Sequence, residues 1–154
     1  NPGVGVMMNN AMGWSAPMPG TVNSIAPFAR ALNNMTPMIL HNKGQAVMAI
    51  GGSGGRRIWP AVAQVIVNRI DFEMGLQEAI EKPRIHVESD DPVVDRRFGD
   101  NLVNQLKIKG HNPEFPPEEF ILWPFSEPNG IVLDGGHWKS GLNPQAKPTH
   151  AVGY

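Results

Sequence analysis

Apolar and polar residues repeat with two different periods along the chain, and these periods predict short strands and helices. Two apolar stretches, residues 35–40 and 45–50, flank the polar residues 41–44, and a short connection that contains glycine is typical of a β-hairpin. Residues 12–37 are rich in Pro, Gly, Ser and Asn and predict a long ordered loop. Alternating or short apolar runs predict further strands at residues 4–8, 84–88, 119–123, 129–134 and 136–142.

Apolar residues at helical spacing predict three helices in the middle of the chain. The first, at about residues 59–70, is apolar on nearly all sides, which predicts a buried helix, and Pro60 suits its first turn. The second covers about residues 75–81 and ends before Pro83, and the third is amphipathic and ends at Gly110. Strands followed by helices and again by strands predict an α+β fold with a layered-sandwich architecture.

The composition favours a packed domain and excludes several classes of protein. The chain has 154 residues and a net charge of −1, and about a quarter of its residues are Leu, Ile, Val or Phe. The balanced charge argues against a nucleic-acid partner. The longest apolar run, residues 46–50, is too short for a transmembrane segment. The absence of cysteine excludes disulfides, thiolate-bound zinc and a cysteine nucleophile, and leaves the cellular compartment unknown.

A glycine cluster at residues 51–55, with the sequence Gly-Gly-Ser-Gly-Gly, lies between a predicted strand and the predicted buried helix. Three kinds of chemistry fit this position. Ser53 fits a nucleophile elbow of the G-x-S-x-G type. The backbone amides fit a phosphate cradle at a helix start, or an oxyanion hole that stabilises negative charge on an acyl substrate. A tight turn that requires positive φ angles explains the same glycines without any chemistry.

Two of these interpretations lack supporting residues elsewhere in the chain. The phosphate-binding patterns G-x-x-x-x-G-K-[ST] and G-x-G-x-x-G are both absent. A nucleophile elbow would recruit Asp134 together with His137 or His150, but an α/β-hydrolase requires alternating strands and helices, which the pattern lacks. The five histidines show no metal-ligand spacing such as H-E-x-x-H, so no metal site is predicted.

Longer motifs extend from the glycine cluster in both directions, and their order is specific. They resemble the small subunit of γ-glutamyltranspeptidases, strongly over about residues 1–88 and more weakly to the end of the chain. The segments that carry the resemblance are residues 7–12, 23–27, 30–37, 51–58, 64–68, 70–80, 83–86 and 153–154.

The resemblance implies an N-terminal-nucleophile hydrolase, which is an αββα sandwich made as a precursor that cleaves itself. Residues 1–154 would then be a single domain, the small-subunit portion, and other chain segments would complete the sandwich. In this family the threonine freed at the start of the small subunit attacks the γ-glutamyl carbonyl, and its own α-amine acts as the base. That threonine is expected upstream of Asn9, before the first residue of this sequence. The implied partners are the large subunit and a small-molecule amide, and no cofactor is implied.

The resemblance also implies roles for individual residues. Gly54 and Gly55 correspond to the oxyanion hole, and Ser53 beside them is assigned to substrate binding. The family has paired serines that contact the substrate α-carboxylate, and Asn33 and Asn34 stand at their positions. Asparagine amides also donate hydrogen bonds to a carboxylate, so this half of the substrate pocket is retained.

The expected anchor for the substrate ammonium group is changed. Family members hold this group with a Gln or Glu and an Asp, and the corresponding residues here are Ala11 and Trp14, whose side chains accept no hydrogen bond. The sequence therefore predicts an enzyme for γ-glutamyl or related acyl amides, and a related acylase or an amidase with another substrate fits the same residues equally well. Two further hypotheses are a non-catalytic binding or structural module that keeps the fold, and a serine hydrolase that uses Ser53.

Overall fold

The structure, a computed structural model, describes Gly3, Gly5 and residues 11–116, 125–144 and 150–152. The chain divides into two compact units, Asn1–Asn34 and Met35–Tyr154, which are described separately. The first unit contains a short 3-10 helix, Ala11–Trp14. The single domain expected over residues 1–154 stays a prediction.

The described residues of the second unit form a four-stranded antiparallel sheet, a separate two-stranded pair and three α-helices. In chain order its elements are β1 (Met38–Asn42), β2 (Gln45–Ser53), α1 (Ile58–Ile70), α2 (Leu76–Glu81), β3 (Ile85–His86), β4 (Val93–Val94), α3 (Gly99–Ile108), β5 (Glu127–Asp134) and β6 (His137–Leu142). The strands of the large sheet follow the order β1-β2-β5-β6, and β3 and β4 form a separate antiparallel pair. None of the described helices is long and apolar enough to cross a membrane.

The core lies between one face of the large sheet and the helices α1 and α2. Alternate residues of β2 point toward the helices, so Met48 and Ile50 are almost completely buried. Val62 and Val65, on the facing side of α1, have no exposed surface. These side chains belong to one continuous apolar cluster, which fixes the direction in which β2 enters the turn before α1.

Helix α2 lies directly against the edge strand β6. A Cβ atom added to Gly141 would come within 2.7 Å of Leu76 Cγ and 2.8 Å of Ile80 Cδ1, so only glycine allows this close approach. The Gln77 amide donates to Leu142 O at 2.8 Å and accepts from Leu142 N at 2.9 Å. This side chain pairs with Leu142, at the end of β6, as a residue of a neighbouring strand would.

The opposite face of the sheet carries a row of apolar side chains. Ile39, Ala49 and Ile131 lie side by side across β1, β2 and β5. Ile39 is 64% exposed and Ile131 is 43% exposed, and no described helix or strand of the second unit covers them. The described elements of the second unit thus form one helical layer and one sheet layer, with an apolar sheet face of the kind that packs against a second sheet in a sandwich.

The strand boundaries differ from the predicted ones. Strand β1 begins at Met38 and runs through Asn42, because the hairpin turn consists of only Lys43 and Gly44. Both turn residues have positive φ angles, 49° and 81°, which is the requirement of a two-residue type I′ turn. Strand β2 continues through the first three residues of the glycine cluster and ends at Ser53.

Other predictions were wrong in extent or fall outside the described residues. The strand predicted at residues 84–88 is limited to Ile85–His86, and its partner β4 was not predicted. Helix α1 is not buried all round, because Val67 and Ile70 on its outer side are 44% and 57% exposed. The strand predicted at residues 119–123, and nearly all of the one at residues 4–8, lie outside the described residues.

Candidate active site

The glycine cluster connects a strand to a helix, as predicted, but its first three residues are themselves part of the strand. Its first part is paired with β5, where Gly51, Gly52 and Ser53 lie opposite Asn129, Pro128 and Glu127. The chain leaves the sheet at Gly54, with φ 132°, and continues through Gly55, with φ 67°. A short 3-10 helix, Gly55–Arg57, then leads into α1.

Gly54 is the residue at which the turn has least space. A Cβ atom added there would lie 2.7 Å from Ser126 Cα and 2.8 Å from Ser126 Cβ. Backbone and side chain of Ser126 therefore occupy the space that any larger residue needs. Together with the positive φ angle, this contact explains why the position requires glycine.

Ser126 holds the turn in place from the start of β5. It has no exposed surface, and its φ angle of 65° is unusual for a residue other than glycine. Its hydroxyl donates a hydrogen bond of 2.5 Å to Ser53 O, the last carbonyl before Gly54. The residue that limits the space at Gly54 is thus also bonded to the backbone just before it.

The side chain of Ser53 is bonded to a carboxylate and not to a histidine. Its hydroxyl donates to Glu127 Oε2 at 2.9 Å, across the strand pair. Asp134 lies at the other end of β5, about 23 Å from Glu127 at the usual rise per residue. Its carboxylate accepts from Lys139 Nζ at 2.7 Å. His137 lies opposite Asp134 at that same far end. Because Asp134 lies this far from Ser53, the nucleophile elbow that combines Ser53 and Asp134 with either His137 or His150 is wrong.

Arg56, the first residue after the two glycines, forms an ion pair with Glu88, two residues after the end of β3. Arg56 Nη1 donates to Glu88 Oε1 at 2.9 Å, and His86 Nε2 lies 3.3 Å from Glu88 Oε2. The hydrogen bond from Arg56, followed by that from His86, holds the pKa of the Glu88 carboxyl below its usual range. Arg56 thus has a carboxylate partner already, which argues against its use as a phosphate ligand behind the glycines.

The residues expected to bind the substrate's charged groups all lie in the first unit. Ala11 and Trp14 are the first and last residues of its 3-10 helix, and both are half-buried. Asn33 is exposed and Asn34 is half-buried, in a stretch without helix or strand. That these four residues and the glycine turn of the second unit line one substrate pocket stays a prediction.

Sequence analysis missed three residues near the turn, Ser126, Glu127 and Arg84. Ser126 and Glu127 bond to Ser53, and Arg84 bonds to Ser126. Arg84 is 2% exposed and donates to the carbonyls of Phe125 and Ser126. No periodic pattern marks any of the three, although Arg84 lies inside the Pro-Arg-Ile-His motif that carries part of the family resemblance. Among the described residues, no three His, Asp or Glu side chains gather as a metal site requires.

Comparison with known proteins places these features in a family context. The family model described as gamma-glutamyltranspeptidase matches residues 1–152. The acylase ACY 1 proenzyme of Pseudomonas sp. (strain V22) is 38% identical over 150 residues, which cover 94% of this chain and 26% of the acylase. The glutathione hydrolase proenzyme of Bacillus subtilis subsp. natto is 39% identical over 88 residues, covering 57% of this chain and 15% of that protein. The chain thus spans about a quarter or less of the length of these curated relatives.

A solved structure extends the similarity to the fold. The gamma-glutamyltranspeptidase from Pseudomonas nitroreducens complexed with L-DON superimposes with a TM-score of 0.80 at 24% identity, covering 100% of this chain and 85% of that one. At this identity the likeness concerns the fold alone. It confirms the predicted α+β class and the assignment to part of an αββα sandwich.

Proposed function

This chain belongs to the gamma-glutamyltranspeptidase family, and we propose that the protein containing it is an amide hydrolase or acyltransferase. The observation that carries the proposal is the turn at Gly54 and Gly55. Both glycines have positive φ angles in a turn at the start of a helix, a place where successive backbone amides can bind an anion. This turn supports an oxyanion hole at Gly54 and Gly55, where backbone N–H groups would stabilise the developing negative charge.

The proposed reaction proceeds through a covalent ester. The hydroxyl of an N-terminal threonine, on a segment outside residues 1–154, adds to the amide carbonyl carbon, and its proton passes to the threonine's own α-amine. The carbonyl oxygen becomes an oxyanion that the amides of Gly54 and Gly55 stabilise. The C–N bond then breaks, and the leaving amine takes the proton. Water or an acceptor amine attacks the ester, releases the acyl group and restores the hydroxyl.

The proposed substrate is a γ-glutamyl or related acyl amide, with weak selection for an α-ammonium group. Asn33 and Asn34 supply donors for a carboxylate on the acyl group, and Ser53 lies beside the oxyanion site. The side chains of Ala11 and Trp14 provide no acceptor for an ammonium ion, and an ion left unpaired in a dry pocket costs several kcal/mol. This difference supports an acylase-like preference within the family.

The proposed partner is a second polypeptide from the same precursor, corresponding to the large subunit. The apolar row of Ile39, Ala49 and Ile131 supports this, because an exposed apolar surface of this kind is typical of an interaction site. The names of both curated relatives describe proenzymes. We propose no nucleic-acid partner.

An amide-cleavage assay on the complete protein tests the proposed function. We expect aniline release from γ-glutamyl-anilide or glutaryl-anilide well above the buffer rate. The Ser53→Ala variant should change turnover less than about tenfold, because an assisting side chain contributes less than a nucleophile. A loss of about a hundredfold or more would assign the nucleophile to Ser53. No release from either anilide would favour the non-catalytic module.

A further inference from the structure

Arg84 places a buried guanidinium between helix α2 and the start of β5. Its side chain donates to Phe125 O at 3.2 Å and to Ser126 O at 3.4 Å on one side. On the other side it donates to Ile80 O at 2.5 Å and to Lys82 O at 3.4 Å, which are carbonyls at the end of α2. One planar group therefore connects the end of a core helix to the residues that contact the glycine turn.

The guanidinium keeps its charge in this position. Burial and the nearby charge of Arg97 lower the pKa of Arg84 to about 10, while Asp95 acts in the opposite direction. Arg84 is therefore protonated at neutral pH. Hydrogen bonds from a charged donor are stronger than those between neutral groups, so the carbonyls of residues 125 and 126 are held firmly.

The contacts continue from Arg84 to the candidate oxyanion site. The Ser126 carbonyl accepts from Arg84 and, at 3.4 Å, from Asn143 Nδ2. The Ser126 hydroxyl donates to Ser53 O, and its Cα and Cβ occupy the space next to Gly54. Ser126 also has a positive φ angle, a conformation that persists in non-glycine residues only where the surroundings impose it.

We propose that Arg84 is a positioning residue, which fixes Ser126 and through it the direction of the Gly54 and Gly55 amides. Arg84 touches neither the substrate nor the reacting atoms in this role. The catalytic consequence rests on the proposed function, whereas the control of the turn by Arg84 does not. Turnover therefore tests the catalytic consequence, and the mobility of the turn tests its control by Arg84.

The test compares two variants of the complete protein. Arg84→Lys keeps the positive charge, but an ammonium group cannot reproduce the planar set of donors that reaches both sides. We expect kcat to fall at least about tenfold, because small displacements of catalytic groups have large effects, with KM within about twofold. Hydrogen exchange of the amides of residues 53–57 should become several-fold faster.

Val65→Ala is the matched control. Val65 is fully buried in the core face of α1, and shortening it lowers Tm by leaving a cavity. Its kcat per folded molecule and the exchange of residues 53–57 should match the parent protein. Equal losses of kcat in the two variants at similar Tm would show a general stability effect and overturn the proposal. A folded Arg84→Lys variant with the parent's kcat and exchange would overturn it as well.

A second variant decides the matter if Arg84→Lys fails to fold. Ser126→Ala removes the hydroxyl that donates to Ser53 O and keeps the Cβ next to Gly54. We expect faster exchange at residues 53–57 and a kcat reduced several-fold, and parental exchange would overturn the proposal. If the complete protein cleaves no amide at all, the proposed function fails. Faster exchange in Arg84→Lys but not in Val65→Ala would then still support the role of Arg84.

Discussion

Replacing Gly54 by Ala should lower the kcat of the complete protein by about a hundredfold or more. The added Cβ would lie 2.7 Å from Ser126 Cα, a distance at which one of the two backbones has to move. The φ angle of 132° adds strain for any residue with a side chain. Because both effects turn the backbone amides at this position, we expect a loss of the size seen when one oxyanion donor is removed. Steady-state kinetics on any anilide that the protein cleaves measures this loss of kcat.

The control for this substitution is Gly75→Ala, at the start of α2. Gly75 has an ordinary φ angle of −58°, and a Cβ atom added there would meet no described atom within 4 Å. The same chemical change should therefore leave kcat within about twofold of the parent, as for most substitutions away from special sites. A folded Gly54→Ala variant with parental turnover would remove Gly54 from the oxyanion site.

The second large effect concerns the choice of substrate. We expect kcat/KM for γ-glutamyl-anilide and glutaryl-anilide to agree within about tenfold, although only the first carries an α-ammonium group. An indole face such as that of Trp14 attracts a cation by ~0.5–2 kcal/mol. A hydrogen bond to a charged group contributes about 1.5–3 kcal/mol, and an unpaired buried ion adds its desolvation cost. In the expected pocket, the ammonium group therefore adds little to the binding free energy of the substrate.

Restoring the missing acceptors provides the matched comparison. The double variant Ala11→Gln, Trp14→Asp carries the residue types of the family at these positions and should raise the preference for γ-glutamyl-anilide at least tenfold. The backbone carbonyl of Trp14, which accepts from Asn23 Nδ2, is retained in this variant. A preference of about a thousandfold in the parent protein, or ~4 kcal/mol, would reveal an ammonium anchor elsewhere and contradict the prediction.

Local sequence patterns predicted the elements that local interactions determine. The hairpin of β1 and β2, helices α1 and α2, and the end of α3 near Gly110 follow from periodicity and from turn or breaker residues. The pattern failed where pairing with distant strands decides the boundary. The glycines of β2 have no side chain that indicates a strand, yet β5 pairs with them through Ser53. Strand β4 has only two residues, too few to show a period.

The candidate site was predictable only in part, for a related reason. The glycine cluster is a continuous motif, so the turn at Gly54 and Gly55 could be predicted from the sequence, and its role as an oxyanion hole stays a prediction. The residues that fix the turn are distant along the chain: Ser126 bonds to Ser53 over 73 residues and Arg84 to Phe125 over 41. A left-handed serine and a buried arginine are products of the tertiary structure, and no local pattern specifies either of them.

Intact mass spectrometry of the complete purified protein, before and after reaction with a slowly hydrolysed acyl substrate, tests the central claim most directly. Our account predicts two co-purifying polypeptides, with residues 1–154 on the one that begins with Thr, or with another hydroxyl or thiol nucleophile. After reaction, that polypeptide should gain the mass of one acyl group, and fragmentation should place the group on its first residue. A single uncut polypeptide, or amide cleavage with the acyl group on any other residue, would contradict the account.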